Sequence, residues 1–269
     1  MNALSGGGSP SFSPIVDAAL ATELLGRVRQ RRPRVHCITN TVAQEITANA
    51  VLAVGATPSV TISRDEIAAF VASADALLVN LGTLEPAHRE VIAIAIAAAR
   101  DKAIPWVLDP VFIDRSPVRA AFAREIAAQG PALVRGNTGE IAVLGDGADA
   151  AIVARALRTV VAATGETDWI SDGGRSVGVA NGHPMMASVT GMGCAGAAVT
   201  AAFLAVGDDP LVATASALLA LGVAGEMAAE TARGPGTFAP AYLDALHHLG
   251  ARDLSTRARI VDIAGEISP

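Results

Sequence analysis

Short apolar runs alternate with longer stretches in which apolar positions recur every three or four residues. Val35–Thr39, Ser59–Ile62, Ala76–Asn80, Trp106–Leu108, Ala132–Val134 and Val160–Ala163 are too short for helices and read as strands. Between them Ala43–Val54, Asp65–Ser73, Pro86–Lys102 and Val118–Ala128 carry helical spacing. Gly55 closes the first of these helices and Pro86 opens the third. Trp169–Ser171, Ser176–Val179 and Met185–Ser188, separated by Gly and Asn turns, read as a cluster of strands. The last third is helical, with Ala195–Val206, Leu211–Ala229 and Pro240–Leu249. Strand–helix alternation of this kind predicts an α/β fold, a mostly parallel central sheet between two helix layers. No repeat or linker interrupts it, so residues 15–269 are expected to form one domain. Residues 1–14, rich in Gly, Ser and Pro, are expected to be a disordered tail.

The polar residues add a regularity. Asn40, Asn80, Asp109, the segment Arg135 to Glu140 and the segment Thr164 to Glu166 each follow the C-terminal end of an expected strand. Ligands of open α/β sheets bind along that edge. Several independent polar clusters on one edge point to a site more strongly than any one of them.

Composition narrows the partners. Apolar residues make up 51% of the chain and aromatics only 3%, so the core must be built from closely packed small aliphatics. A net charge of −6 argues against nucleic acid as the main partner. The one basic cluster, Arg27–Arg34, reads as a solvated helix end. Cys37 and Cys194 are the only cysteines, which excludes a disulfide framework and fits a reducing cytoplasm. The start of the chain lacks the basic and apolar regions of a signal peptide. Leu211–Gly225 is too short and too interrupted by Thr and Ser to span a bilayer, and reads as a buried helix. A mean hydropathy of +0.43 calls for additional burial, most simply in an oligomer interface.

Four segments carry candidate chemistry. Thr190-Gly191-Met192-Gly193-Cys194 runs into the helix Ala195–Val206. Glycines that allow φ > 0, placed ahead of first-turn amides, make an anion site, and phosphate is the usual anion. The same pattern also serves close packing. Arg135-Gly136-Asn137-Thr138-Gly139-Glu140 offers a cation, an amide and a carboxylate. Mg²⁺ takes oxygen ligands and few protein groups, so Glu140 and Asn137 suit it directly or through water. Thr164-Gly165-Glu166 adds a hydroxyl at a strand end, and Gly234-Pro235-Gly236-Thr237-Phe238 reads as a turn that could border a base. Taken singly, each also reads as an ordinary cap or turn. Cys37 reads as a core cysteine and His36 as a strand residue.

Taken in order, these residues resemble the hydroxyethylthiazole kinases of thiamine salvage, members of the ribokinase-like superfamily. The resemblance spans Arg34–Phe238 and rests on Val35-His36-Cys37-Ile38-Thr39-Asn40, Thr47-Ala48-Asn49 and Leu52-Ala53-Val54-Gly55-Ala56-Thr57-Pro58. It continues through Asn80-Leu81-Gly82-Thr83-Leu84, Leu108-Asp109-Pro110-Val111, Arg135-Gly136-Asn137 with Glu140, and Thr164-Gly165-Glu166. Val189-Thr190-Gly191 with Gly193-Cys194, then Gly234-Pro235-Gly236 with Phe238, complete it. Most ribokinase-like enzymes carry aspartate where Cys194 stands.

The resemblance implies a ribokinase-like three-layer α/β/α fold and phosphoryl transfer from ATP to the alcohol of hydroxyethylthiazole. It implies a homotrimer with sites between subunits. Arg135 and Thr164 would contact ATP, while Gly191, Val60 and Asn40 would meet the thiazole. Glu140 and Asn137 would help hold Mg²⁺, with Asp109 nearby. Gly191, Gly193 and Cys194 would form the catalytic turn, their amides the anion hole, with the thiol beside the acceptor hydroxyl. Three departures stand out. Phe112-Ile113-Asp114-Arg115-Ser116 replaces the usual Gly-x-Gly-Ala-Thr, Val60 replaces Met, and Glu45 replaces Asn. They leave two competing readings: a kinase of another small alcohol, or a nucleotide- or thiazole-binding protein without catalysis.

Overall fold

The computed structural model describes residues 15–262. The expected disordered tail lies outside the described residues. One nine-stranded sheet runs through the molecule in the order β2-β1-β3-β4-β5-β6-β7-β8-β9. Its parallel part comprises β1 (Arg34–Ile38), β2 (Thr57–Ser59), β3 (Ala76–Asn80), β4 (Trp106–Asp109), β5 (Leu133–Asn137) and β6 (Val160–Thr164). An antiparallel extension follows, made of β7 (Asp168–Ser171), β8 (Ser176–Val179) and β9 (Ile260–Asp262).

Alternation along the strands divides the core in two. Val35, Cys37, Leu78, Val107 and Leu133 face one helix layer. That layer contains α1 (Ala18–Arg31), α2 (Gln44–Ala53), α8 (Met192–Leu204), α9 (Pro210–Thr231), α10 (Pro235–His248) and α11 (Ala251–Arg257). Ile38, Leu77, Val79, Leu108 and Val134 face the other. There lie α3 (Ile67–Ser73), α4 (Pro86–Asp101), α5 (Pro117–Ala127), α6 (Thr138–Leu144) and α7 (Ala150–Leu157). The central strands β3 and β4 are buried along their whole length, so they read as nearly unbroken apolar runs, whereas the edge strand β2 is only partly covered.

Several expectations are corrected. Met185–Ser188 is not a strand: Pro184–Ser188 forms a 3₁₀ turn, its start set by Pro184 and by His183 accepting from the Met185 N–H. The segment Gly234–Phe238 is a helix start more than a turn. Pro235 opens α10 at its first position, and Phe238 is fully buried, stacked on Tyr242. The polar stretch after Val134 is the end of β5 followed by α6. Helix α9 has 22 residues, more than expected, and is long and apolar enough to cross a membrane. It is instead mostly buried in the fold, packed against α1, α8 and α10. The basic cluster is only partly solvated. Arg29 donates to the carbonyls of Leu246, His247 and Leu249, so it caps the C-terminus of α10, where a cation is favoured.

Candidate active site

The parallel strands β1 to β6 deliver their polar ends to one edge of the sheet, as the sequence pattern predicts. Asn80 and Asp109 sit side by side in register at the ends of β3 and β4. Asn137 and Thr164 do the same at the ends of β5 and β6. Asn40 follows β1 by two residues.

Helix α8 starts above this edge. Gly191 is its N-cap at φ +84, a left-handed conformation that favours glycine. A Cβ there would fall 2.8 Å from Ile46 Cγ2 and 3.1 Å from Ala43 Cβ, so α2 packs directly against this turn. The helix begins three residues earlier than expected. Gly193 and Cys194 therefore lie inside its first turn, and the positive φ belongs to Gly191 and not to Gly193. First-turn amides have no intrahelical acceptor; the Met192 N–H turns back to the Val189 carbonyl, and those of Gly193 and Cys194 form the electropositive end that an anion needs.

Below Cys194 runs a buried polar chain. The Asn40 amide Nδ2 donates to Cys194 Sγ at 3.3 Å and to Asn80 Oδ1 at 3.1 Å. Asn80 Nδ2 donates to Asp109 Oδ2 at 2.7 Å. Burial, reinforced by the Glu140 charge, pushes the Asp109 carboxyl up to about 7, against the pull of Arg135 and the Asn80 bond. Burial also pushes the Cys194 thiol up to about 11. Asn80 was legible as a strand-end residue, but its place between Asn40 and Asp109 was not.

Glu140 is fixed by two main-chain bonds. Its Oε1 accepts the Phe112 N–H at 2.8 Å and its Oε2 the Asn137 N–H at 2.9 Å. In return Asn137 Oδ1 accepts the Glu140 N–H at 2.8 Å, a reciprocal cap at the start of α6. Asn137 is thus the residue that orients Glu140. Phe112, where the resemblance leads one to expect glycine, stands at φ +59 and 58% exposed. A bulky side chain is disfavoured in that conformation, and the Glu140 bond helps to hold it.

Arg135 reaches from β5 toward α8, where its Nη1 donates to the Gly193 carbonyl at 2.8 Å. Gly196 makes room for it, since a Cβ there would lie 3.1 Å from Arg135 Nη2. Asp168, absent from the sequence-derived set, faces this cation and accepts the Gly165 N–H at 3.0 Å. Burial raises the Asp168 carboxyl while Arg135 lowers it. Thr164 Oγ1 donates to the Gly136 carbonyl. The structure therefore gathers Asn40, Asp109, Arg135, Asn137, Glu140, Thr164, Gly191, Gly193 and Cys194 along one edge. Val60 stands apart: it is half-buried in the segment after β2, which among the described residues makes no hydrogen bond to this cluster.

His36 braces that segment. It is fully buried, with Nδ1 2.7 Å from Ser59 Oγ and Nε2 3.0 Å from the Thr61 carbonyl. A carbonyl only accepts, so Nε2 carries the hydrogen and Nδ1 accepts from the serine hydroxyl. Burial lowers the imidazole from 6.5 to about 4. Between those values the unfolded chain binds a proton that the folded one refuses, so stability falls as pH falls from 6.5 toward 4. Thermal melts over this range are expected to show a shallower acid decline for His36→Gln than for the wild type. Parallel declines would show that His36 is not the titrating group.

Residues 25–252 match the hydroxyethylthiazole kinase family. The chain belongs to that family. A probable hydroxyethylthiazole kinase of Agrobacterium fabrum is 50% identical over 243 residues, covering 90% of this chain and 95% of the relative. The solved hydroxyethylthiazole kinase protein of Pyrococcus horikoshii OT3 superposes with a TM-score of 0.88 at 39% identity, covering 91% of this chain and 99% of that one. A ribokinase-like superfamily protein of Enterococcus faecalis V583 shares the fold, with a TM-score of 0.66 at 15% identity, over 91% and 100% of the two chains. The fold of this hydroxyethylthiazole kinase family member is therefore ribokinase-like, as the resemblance implied.

Proposed function

We propose that this chain transfers the terminal phosphoryl group of ATP to the hydroxyl of hydroxyethylthiazole, releasing the phosphate monoester used in thiamine salvage. The observation that carries the reading is the convergence of the α8 N-terminus, the Cys194 thiol and the Asp109–Glu140 carboxylates on one edge. Phosphoryl transfer needs alignment and charge neutralisation more than covalent help. The first-turn amides of α8 would receive the phosphoryl oxygens as charge develops on them. Arg135 would face the ATP phosphates while keeping its bond to Gly193, and Thr164 would border the nucleotide. Gly191 would lie against the thiazole, with Asn40 below. Burial keeps the Cys194 thiol protonated, so Cys194 would orient the hydroxyl, whose proton would pass to a phosphoryl oxygen as the new O–P bond forms.

The donor set fits Mg²⁺. Asp109 and Glu140 are buried carboxylates that feel each other's charge, and this ion asks for oxygen ligands and few protein groups. Among the described residues there is no cluster of three or more His, Cys, Asp and Glu side chains, so waters and ATP oxygens would complete the shell. Bound there, Mg²⁺ would supply positive charge to the phosphates. Asp109 and Glu140 would hold it, Glu140 through water because both its oxygens already accept main-chain N–H groups.

Assembly belongs to the same proposal. Val42 is 74% exposed and Leu52 53% exposed on or beside α2, and Phe70 adds a third apolar side chain from α3. Exposed apolar side chains of this kind support a homotrimer in which Val60 reaches a neighbour's thiazole site. The enzyme would act in the cytoplasm. Purified protein with ATP, Mg²⁺ and the thiazole alcohol is expected to yield phosphorylated thiazole by mass spectrometry, from a particle of trimeric mass by light scattering. No thiazole phosphate but turnover of another alcohol would favour the reading that Val60 and the Phe112–Ser116 loop have changed the acceptor. No turnover of any alcohol would leave a binding protein.

A further inference from the structure

We propose that Asn40 is a positioning residue for Cys194, its amide locked by Asn80 and Gly82 so that an N–H always faces the sulfur. The two ends of an Asn side chain look alike in shape, so the direction must come from the neighbours. Here they decide it. The Gly82 N–H donates to Asn80 Oδ1 at 3.0 Å, while Asn80 Nδ2 points at the Asp109 carboxylate. The Asn80 carbonyl oxygen therefore faces Asn40 at 3.1 Å. Two carbonyl oxygens repel at that distance, so Asn40 must present Nδ2. That nitrogen carries two hydrogens, one for Asn80 and one for Cys194 Sγ.

Two further observations show that the orientation is imposed from outside. Asn40 Oδ1 is buried without a hydrogen-bond partner, and turning the amide over would leave its two N–H groups in that place without the acceptors they now have, so only the observed direction makes bonds. Gly82 presses against the same amide: a Cβ at that position would lie 2.6 Å from Asn40 Nδ2 and 2.8 Å from its Cγ. The φ of Gly82 is not left-handed, so glycine is required there for this close approach alone.

The consequence falls on the thiol. Its sulfur is held as an acceptor, so any proton it carries points away from Asn40. The N–H favours the thiolate, as does the Arg135 charge, against burial and the Asp109 charge. The role in turnover rests on the kinase reading above. The lock itself does not, so the test measures the thiol directly.

Iodoacetamide alkylation of Cys194 would be followed by peptide mass spectrometry across an alkaline pH series. Cys194 is 8% exposed, whereas Cys37 is fully buried with its thiol pushed up to about 12, so the two are resolved. Asn40→Leu removes the donor, and Gly82→Ala displaces the amide by one methyl group. Both variants are expected to fold, and to shift the pH midpoint of Cys194 alkylation upward by about one unit. In the kinase assay both are expected to lower kcat with little change in KM for ATP. If Asn40→Leu does not fold, Gly82→Ala carries the test. An unchanged alkylation profile in either folded variant overturns the lock, whatever substrate the protein uses.

Discussion

Gly191→Val is expected to abolish measurable turnover, while Gly193→Ala leaves most of it. Gly191 sits at φ +84, which a β-branched residue adopts only under strain of about 1–2 kcal/mol. Its Cβ would meet Ile46 Cγ2 at 2.8 Å and the Ala43 main chain at 3.2 Å, adding an overpacking cost of about 1–3 kcal/mol. The easiest relief is for the turn to swing away from α2. That movement would carry the first-turn amides of α8 out of line with Asp109 and Arg135. Misplacement of about an ångström is enough to cost a factor of ~10² in rate. Gly193 differs because it is helical, and the nearest atom to an added Cβ is Arg135 Nη1 at 3.9 Å. Steady-state assays beside thermal melts would settle the contrast. A folded Gly191→Val protein with wild-type turnover would show that α8 does not hold the phosphoryl group.

Glu140→Gln should lower turnover by on the order of 10²-fold or more, with a much smaller effect on binding of the thiazole. Loss of charge is only part of the reason. Both carboxylate oxygens accept main-chain hydrogens, one from Phe112 and one from Asn137. A glutamine has one oxygen, so either N–H would face an amide NH₂ group. Leaving a buried donor unpaired costs about 1–3 kcal/mol. If the Phe112 side gives way, the left-handed turn at φ +59 loses a support. The melting temperature should therefore fall along with kcat. Turnover that is unchanged at saturating Mg²⁺ would remove Glu140 from the site.

The parts of this site that depend on strand ends were legible in the sequence. A parallel sheet sends every strand's C-terminus to one edge, so Asn40, Asp109, Arg135 and Thr164 could be grouped before any distance was known. What escaped was set by contacts distant in sequence. Which glycine needs a positive φ depends on where α8 begins, and that is fixed by α2 lying against Gly191. Phe238 looked available to a ligand until α10 placed it under His183 and over Tyr242. Helices α6, α7 and α11 and strand β9 were missed because each is short, and β9 pairs with β8 some 80 residues upstream. The direction of the Asn40 amide needs the Gly82 N–H and the Asp109 carboxylate together, and no residue pattern encodes it.

The Arg29 cap on α10 also has a bearing on biosynthesis. Its carbonyl partner at Leu249 lies 220 residues further along the chain. At a ribosomal speed of about 5–20 residues per second, roughly 10–40 s pass between synthesis of the arginine and of its acceptor. During that interval α1 has its apolar side chains Leu24, Leu25 and Val28 made, but neither α9 nor α11 to cover them. Until then α1 is an unshielded amphipathic helix on the nascent chain. Chaperones that bind such segments have their window there, and it closes only when the last helices leave the exit tunnel.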